Sequence, residues 1–405
     1  MPESICILVK AAGNRRDIAL MDEGKLAEYY VENESETTLV NAVFLGRVER
    51  VVPGMQAAFV QIGQPLNGFL PLTEMDSFTR QSGDTAVLAA GADVMVQVKK
   101  DAKDQKGAFL SRDISLPGQY LILMPLNRYV GVSKRVTDGA ERETLLALGQ
   151  ELCGGAFGLI MRSTALSARR EALLEELTDL QALWKRLQDK AVYAKAPAVL
   201  HRDISVLSAL VRDYAPRYSL GITCNDAVNR MPAPPNGLLW EQVSDAELDA
   251  AWASSRVEAQ LTEALGRRVE LKNGGSLVID EREALSTVDV NSGHFIGSGE
   301  ADTAVKHNVA ACAEIARQIR LRNLSGIVLI DFIDMASDAH RAQVIDRLSD
   351  ELSRERDKTV IHGFTSLGLL ELTRKRTGAS LRDALETPCD RCNGTGYRME
   401  RDLQV

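Results

Sequence analysis

From about residue 275 the chain alternates strand-like and helix-like segments, and two of its apolar strands carry acid: TVDVNSG around Asp289 and GIVLIDFIDM around Asp331. Strands that alternate with helices fold into an α/β layer structure. A carboxylate on such a strand is costly to bury unless it is paired or bound to a metal. Residues two apart on a strand share a face, so Asp289 and Asn291 point the same way. Asp331 follows four apolar residues, at the C-terminal strand end where α/β proteins place their sites. The two aspartates lie 42 positions apart with one helix between them, so their strands can lie side by side.

Two converging carboxylates with an amide oxygen suit a hard cation such as Mg²⁺ or Mn²⁺. Such an ion orients water, lowers its pKa and stabilises charge on a phosphate under in-line attack. The structural alternative is that these acids cap helices or pair with the arginines of RQIRLR (Arg317–Arg322). The residues alone leave both readings open. Asp334, if the strand continued, would face the other way and act as a cap.

The first forty residues read as short strands (ICILVK, RDIALM, LAEYYVE), and the opening lacks the basic segment of a signal peptide. From Asn41, five strand candidates with glycine at the bends predict a small closed barrel of the OB type. Phe59, Phe69 and Phe109 fall on different candidate strands. They are either a base-stacking platform or barrel core, and the pattern alone favours core. Leu173, Leu177, Leu180, Trp184 and Leu187 form an apolar stripe on a helix predicted over about 165–190. MPAPPNG (231–237) reads as a rigid loop. Further helices are expected near 302–322 and 338–356, with strands GSLVID, ALSTVDVN and TVIHGF, and LGLLELTRKR reads as a last helix.

With 405 residues, 45% of them hydrophobic, the chain can build more than one core. No run of ~18 apolar residues predicts a membrane span. Cys6, Cys153, Cys224 and Cys312 stand singly in apolar contexts, as buried thiols do in a reducing cytoplasm. A net charge of −8 counts mildly against nucleic-acid binding, although basic residues cluster in SKRV, GRR, RQIRLR and TRKR. Near the end, PCDRCNGTGY sets Cys389 and Cys392 in a C-x-x-C knuckle, half the ligand set of a closed zinc site. An unmetallated turn and a redox pair are the alternatives.

Taken in order, STVDVNSG, AEIARQIRLRNLSGIVLIDFIDM, LGLLELTRKR and PCDRCNGTG, together with AAFVQIG…NGFLPL and GQYLILMP, closely resemble the ribonuclease E/G family of bacterial endoribonucleases over nearly the whole chain. The resemblance implies an α+β multi-subdomain protein that hydrolyses single-stranded, A/U-rich RNA with Mg²⁺, in RNA processing and mRNA decay. It implies a ribonuclease H-like subdomain (1–38 and 203–265), an S1-like OB barrel (39–114), a 5′-monophosphate sensor (115–202), a deoxyribonuclease I-like catalytic subdomain (266–386) and a zinc-link (387–397). Asp289 and Asp331 match the metal-binding catalytic acids, with Asn291 as their hydrogen-bonding neighbour. Phe59 and Phe69 match RNA-contacting aromatics, which reverses the core reading. Lys106, Lys134, Arg135 and Lys358 match basic positions that face RNA phosphates. Gly118, Ile122, Arg162 and Ser163 match the sensor, where the family usually has Arg-Thr in place of Arg162-Ser163.

In the family the knuckle is half of a zinc link shared by two subunits, which implies a zinc-bridged homodimer. Ending at Val405, the sequence is expected to lack a C-terminal scaffold for partner enzymes. The competing expectation is a non-catalytic RNA-binding protein that uses the barrel and knuckle alone.

Overall fold

The computed structural model describes residues 4–33, 38–72, 88–102, 105–202, 206–225, 238–293, 300–335, 337–375 and 378–392. The loop at 231–237, Arg376 and residues 393–397 of the zinc-link lie outside them. The chain forms two units, residues 36–217 and residues 1–35 with 218–405.

The chain opens on a three-stranded meander, β1 (Ser4–Ala12), β2 (Arg15–Asp22) and β3 (Lys25–Asn33). The next unit begins with β4 (Val43–Val52), β5 (Ala57–Gln61), β6 (Gly68–Pro71), β7 (Asp93–Lys100) and β8 (Phe109–Ser111). Their order is β4-β5-β6-β8-β7, and β7 pairs back onto β4, so the sheet closes into a five-stranded barrel. Closure removes the free edges that an open sheet would expose. Phe44, Val48, Ala58, Val60, Leu70, Val96, Val98 and Leu110 fill its interior.

A second, four-stranded sheet follows in the same unit. It is built from β9 (Leu116–Pro117), β10 (Leu121–Met124), β11 (Val130–Val132) and β12 (Gly158–Met161). Helix α1 (Gly139–Cys153) packs on it, its first turn capped by the Asp138 side chain accepting from the Glu141 N–H. Helix α2 spans Arg170–Tyr193 and buries Leu173, Leu177, Leu180 and Leu187, the expected stripe, while Trp184 is only partly buried. It starts later than the periodicity predicts: a 3-10 turn, Ser163–Ser167, comes first, and Ala168 and Arg169 are extended. The Thr164 hydroxyl, donating to the Gln119 carbonyl, anchors that turn. Strand β13 (Ala198–His201) joins the barrel edge and α3 (Val206–Tyr214) ends the unit.

Beyond it, β14 (Ser219–Cys224) and β15 (Leu239–Gln242) extend the opening meander into the sheet β15-β14-β1-β2-β3. Helices α4 (Asp245–Ser254) and α5 (Val257–Leu265) bury Trp252, Val257 and Leu261 against it.

The last sheet holds β16 (Arg268–Glu270), β17 (Ser276–Glu281), β18 (Leu285–Asn291), β19 (Gly326–Asp331), β20 (Thr359–Phe364) and β21 (Leu370–Arg374), in the order β16-β17-β18-β19-β21-β20. Helices α6 (Glu300–Leu321) and α7 (Asp338–Ser353) bury Ile315, Ile319, Val344 and Leu348 against Val288, Val290, Val328 and Ile330. A short helix, α8 (Leu381–Leu385), follows.

LGLLELTRKR is a correction. The expected helix is strand β21, because Leu370, Leu372 and Arg374 are buried in alternation with Glu371 and Thr373. Its start is set by a turn in which Gly368 takes a φ of +84°, a conformation that excludes a continuing right-handed helix.

Candidate active site

Strand β18 alternates strictly: Ser286, Val288 and Val290 are buried, and Thr287, Asp289 and Asn291 are exposed. Its parallel neighbour β19 is paired in register, Val288 opposite Ile330 and Asp289 opposite Asp331. Neighbouring strands lie about 4.8 Å apart, so the two carboxylates stand side by side on the sheet face opposite the helices. The Asn291 amide donates to Asp289 Oδ2 at 2.8 Å and orients that carboxylate.

Neither aspartate forms an ion pair with a described residue. The arginines of RQIRLR are engaged elsewhere: Arg317 with Glu314 at 2.5 Å, Arg320 with Glu28 at 2.6 Å, and the buried Arg322 with Gln318 at 2.7 Å. The structural alternative of pairing with these arginines therefore does not hold. Asp331 has its pKa raised, first by burial and then by the charges of Asp289 and Asp334. Asp334 is thus part of the same acidic neighbourhood, which its sequence position underrated.

The backbone after Asp331 is held from beneath. The fully buried Asn308 on α6 donates to the Ile333 carbonyl at 2.8 Å and accepts from the Ile333 N–H at 3.1 Å. Beside it, buried His307 meets the Asn273 amide at 2.9 Å. Asn273 sits in the β16–β17 turn, whose Gly274 carbonyl packs directly on Gly293, so a side chain at 293 would collide with backbone. Neither buried residue stands out in the sequence, since both read as ordinary helix positions.

The barrel settles its aromatics by alternation. Ala58, Val60, Leu70 and Leu110 point inward, so Phe59, Phe69 and Phe109 lie half-buried on the outer face. Phe59 pairs with Phe69 and Phe69 with Phe109 across the strands, and successive ring centroids are 6.0 Å apart. The pattern-based core reading is therefore wrong. Arg50 sits 5.2 Å from the Phe59 ring and Lys100 5.8 Å from the Phe109 ring, two cations that sequence spacing gave no reason to select. Lys106 is exposed just before β8.

Lys358 lies elsewhere. It is exposed and its carbonyl accepts from the Lys375 N–H, next to the Thr359–Arg374–Gly326 end of the last sheet. That end is roughly 16 Å along the strands from Asp331. The structure does not bring Lys358 to the acids.

A third constellation gathers around Arg162, whose guanidinium donates to the Gly118 carbonyl at 2.6 Å and to Asp213 at 2.7 Å. Ser163 accepts from Arg217 at 2.5 Å. Ile122, on β10, is half-buried. Gly118 is buried, and a Cβ there would come within 2.5 Å of the Glu176 carboxyl. Glu176 in turn accepts from the backbone N–H groups of Gln119, Tyr120 and Leu121. Glycine at this position is thus required first by the protein's own carboxylate.

Lys134 and Arg135 are both exposed, but Arg135 belongs to this constellation. Its guanidinium is surrounded closely enough that burial is the main cause lowering its pKa, followed by Arg217 and Arg162. The other basic clusters are largely committed: Arg267 pairs with Asp280, Arg268 with Glu270, and the buried Arg374 with Glu355 and Asp357.

Cys389 and Cys392 sit in a turn closed by the Cys392 N–H donating to the Cys389 carbonyl at 3.3 Å; Cys389 is exposed and Cys392 half-buried. Among the described residues no three His, Cys, Asp or Glu side chains converge as a metal site, and no helix is long and apolar enough to cross a membrane.

Residues 39–113 match the S1 RNA binding domain and residues 115–377 match the Ribonuclease E/G family. Ribonuclease G of Escherichia coli K12 is 36% identical over 96% of this chain and 83% of its own length. Ribonuclease G of Haemophilus influenzae is 34% identical over 97% and 84%, and Ribonuclease E of Nostoc sp. PCC 7120 is 34% identical over 94% and 59%. With a family match across most of its length and relatives at this identity, the chain belongs to the Ribonuclease E/G family.

Proposed function

We propose that this endoribonuclease hydrolyses single-stranded, A/U-rich RNA at a phosphodiester bound over the last sheet, where Asp289 and Asp331 are the catalytic acids. The observation that carries the reading is their in-register pairing on an exposed sheet face with no arginine partner among the described residues. Two adjacent carboxylates in water repel by roughly 0.9 kcal/mol at about 4.8 Å; the Asp331 pKa is raised first by burial and then by the Asp289 and Asp334 charges. A divalent cation is the natural counter-charge. The donor set fits Mg²⁺: carboxylate oxygens from Asp289 and Asp331, with the remaining positions left to water and RNA phosphate, as this ion prefers. When bound, Mg²⁺ supplies charge stabilisation and a water of lowered pKa.

The chain's own residues do the positioning. Asn291 holds Asp289 in one rotamer, and Asn308 holds the backbone that carries Asp331 and Asp334. The strip of Phe59, Phe69 and Phe109, with Arg50 and Lys100 beside it, suits stacked bases and their phosphates. Lys106, Lys134 and Lys358 are further phosphate contacts in this reading. Gly118, Ile122, Arg162 and Ser163, with Arg135 added, form a site for a 5′-monophosphate that stimulates cutting. The sheet of β1–β3, β14 and β15 is the ribonuclease H-like part, and the acid-bearing sheet the deoxyribonuclease I-like part. Cys389 and Cys392 with a second copy's pair hold one Zn²⁺ and make a homodimer.

The test compares a 5′-monophosphorylated A/U-rich oligomer with its 5′-hydroxyl counterpart in Mg²⁺, for the natural chain and for Asp289→Asn and Asp331→Asn. Both substitutions are expected to abolish internal cutting while RNA binding persists. Cutting that survives both removes the catalytic assignment, and equal rates on the two 5′ ends remove the sensor.

A further inference from the structure

The residues assigned to the 5′-phosphate site spend part of their donor capacity on the protein itself. Two arms of Arg162 are already engaged, Nη1 by the Gly118 carbonyl and Nη2 by Asp213. The backbone N–H groups of Gln119, Tyr120 and Leu121, which would make an anion nest, are taken by Glu176. A terminal phosphomonoester carries close to two negative charges at neutral pH and three acceptor oxygens. A second cation beside Arg162 would match that charge.

Arg217 has the geometry to do so. It lies just past the end of α3 and is exposed, and its Nη2 donates to Ser163 Oγ at 2.5 Å. That bond uses an acceptor lone pair of the hydroxyl and leaves the Ser163 proton to be donated outward. One arm of Arg217 is committed and the other N–H groups have no partner among the described residues. A guanidinium and a hydroxyl beside it, both presenting hydrogens, form a fork suited to phosphate oxygens.

The charge inventory agrees. Arg162 and Arg212 both pair with Asp213, and Arg135 lies close enough to Arg217, Arg162 and Asp213 to feel their charges. Four cations gather around the one carboxylate of Asp213, so the cluster is net positive.

We propose that Arg217 is a specificity-determining residue of the 5′ site, acting with Ser163 and beside Arg162 as a direct donor to the terminal phosphate. This rests on the 5′-monophosphate reading above and adds the group that reads the charge. The smaller serine, in place of the threonine usual in the family, is the residue on which Arg217 docks.

The experiment measures kcat/KM for the full chain on a 5′-monophosphorylated and a 5′-hydroxyl RNA of one sequence, and takes their ratio. A folding defect lowers both rates and leaves the ratio alone. Arg217→Gln is expected to lower the ratio about tenfold, the worth of one charge-assisted hydrogen bond, and Arg217→Lys to recover part of it. A ratio unchanged in Arg217→Gln but collapsed in Arg162→Gln overturns the role of Arg217 and keeps the sensor. A natural-chain ratio near one removes the 5′ reading itself.

Discussion

At the scale of single residues, the acids and the buried arginines behave oppositely. Asp289 and Asp331 are exposed, repel each other and have no ion-pair partner among the described residues, so their charge works against the folded state. Asp331→Asn should slow RNA cleavage by roughly 100-fold or more, while the thermal midpoint stays level or rises slightly. Single-turnover rates and a melting curve decide this, and a variant that melted early would recast Asp331 as structural. Arg374 is the reverse case: it is buried and bonded to Glu355, Asn323, the Leu324 carbonyl and Asp357. Arg374→Ala would strand Glu355 and Asp357, so chemical denaturation should show a loss of about 3–5 kcal/mol. In the sequence these residues looked alike, charged positions on apolar segments. Type and spacing say that a charge is unusual; only the partner says whether it is spent on stability.

Among the elements, the barrel strands and the link between α6 and β19 are the informative ones. Phe59 and Phe69 project outward from strands whose alternate residues make the core, so replacing them leaves the core intact. Phe59→Ala and Phe69→Ala are each expected to weaken binding of a single-stranded oligomer by about 1–3 kcal/mol, read by fluorescence anisotropy, with an unchanged circular dichroism spectrum. Unchanged affinity in both would take the platform out of the RNA path. Asn308 fastens α6 to the residues following β19 through two backbone bonds. Asn308→Ala leaves a buried N–H and carbonyl unpaired at a cost of about 1–3 kcal/mol, and kcat should fall more than KM rises, because Asp331 and Asp334 lose their anchor. Strand β21 shows where local reading fails. Leu369, Leu370 and Leu372 fit a helix and a strand about equally well over so short a run; the need of β19 for a second neighbour decided for the strand.

For the whole molecule, cysteine chemistry gives the sharpest prediction. Burial pushes the Cys312 thiol up to about 12 and the Cys224 thiol up to about 11. At pH 8 a thiol of pKa 12 is ~10⁻⁴ thiolate, so both should resist a thiol-specific reagent until the chain unfolds. Raising the pH toward these values increases the reactive fraction. Cys389, exposed in its turn, should react at once in the apo protein, together with Cys392. Zinc is expected to protect both, with one ion for two chains by native mass spectrometry; protection in a strictly monomeric protein would leave the shared-zinc dimer without support.

The sequence by itself determined the order of strands and helices through most of the chain, the barrel, the acid-bearing strands and the cysteine knuckle. These follow from periodicity, turn residues and side-chain chemistry, all of which act over a few neighbouring residues. Tertiary structure alone decided that Asp289 stands in register with Asp331, that the barrel phenylalanines face outward, that Arg135 and Arg217 join Arg162, and that Gly118 makes room for Glu176. Each of these depends on which distant segments pair and in what register. That choice is made by burying the most apolar surface across the whole unit, and no local window of residues contains it.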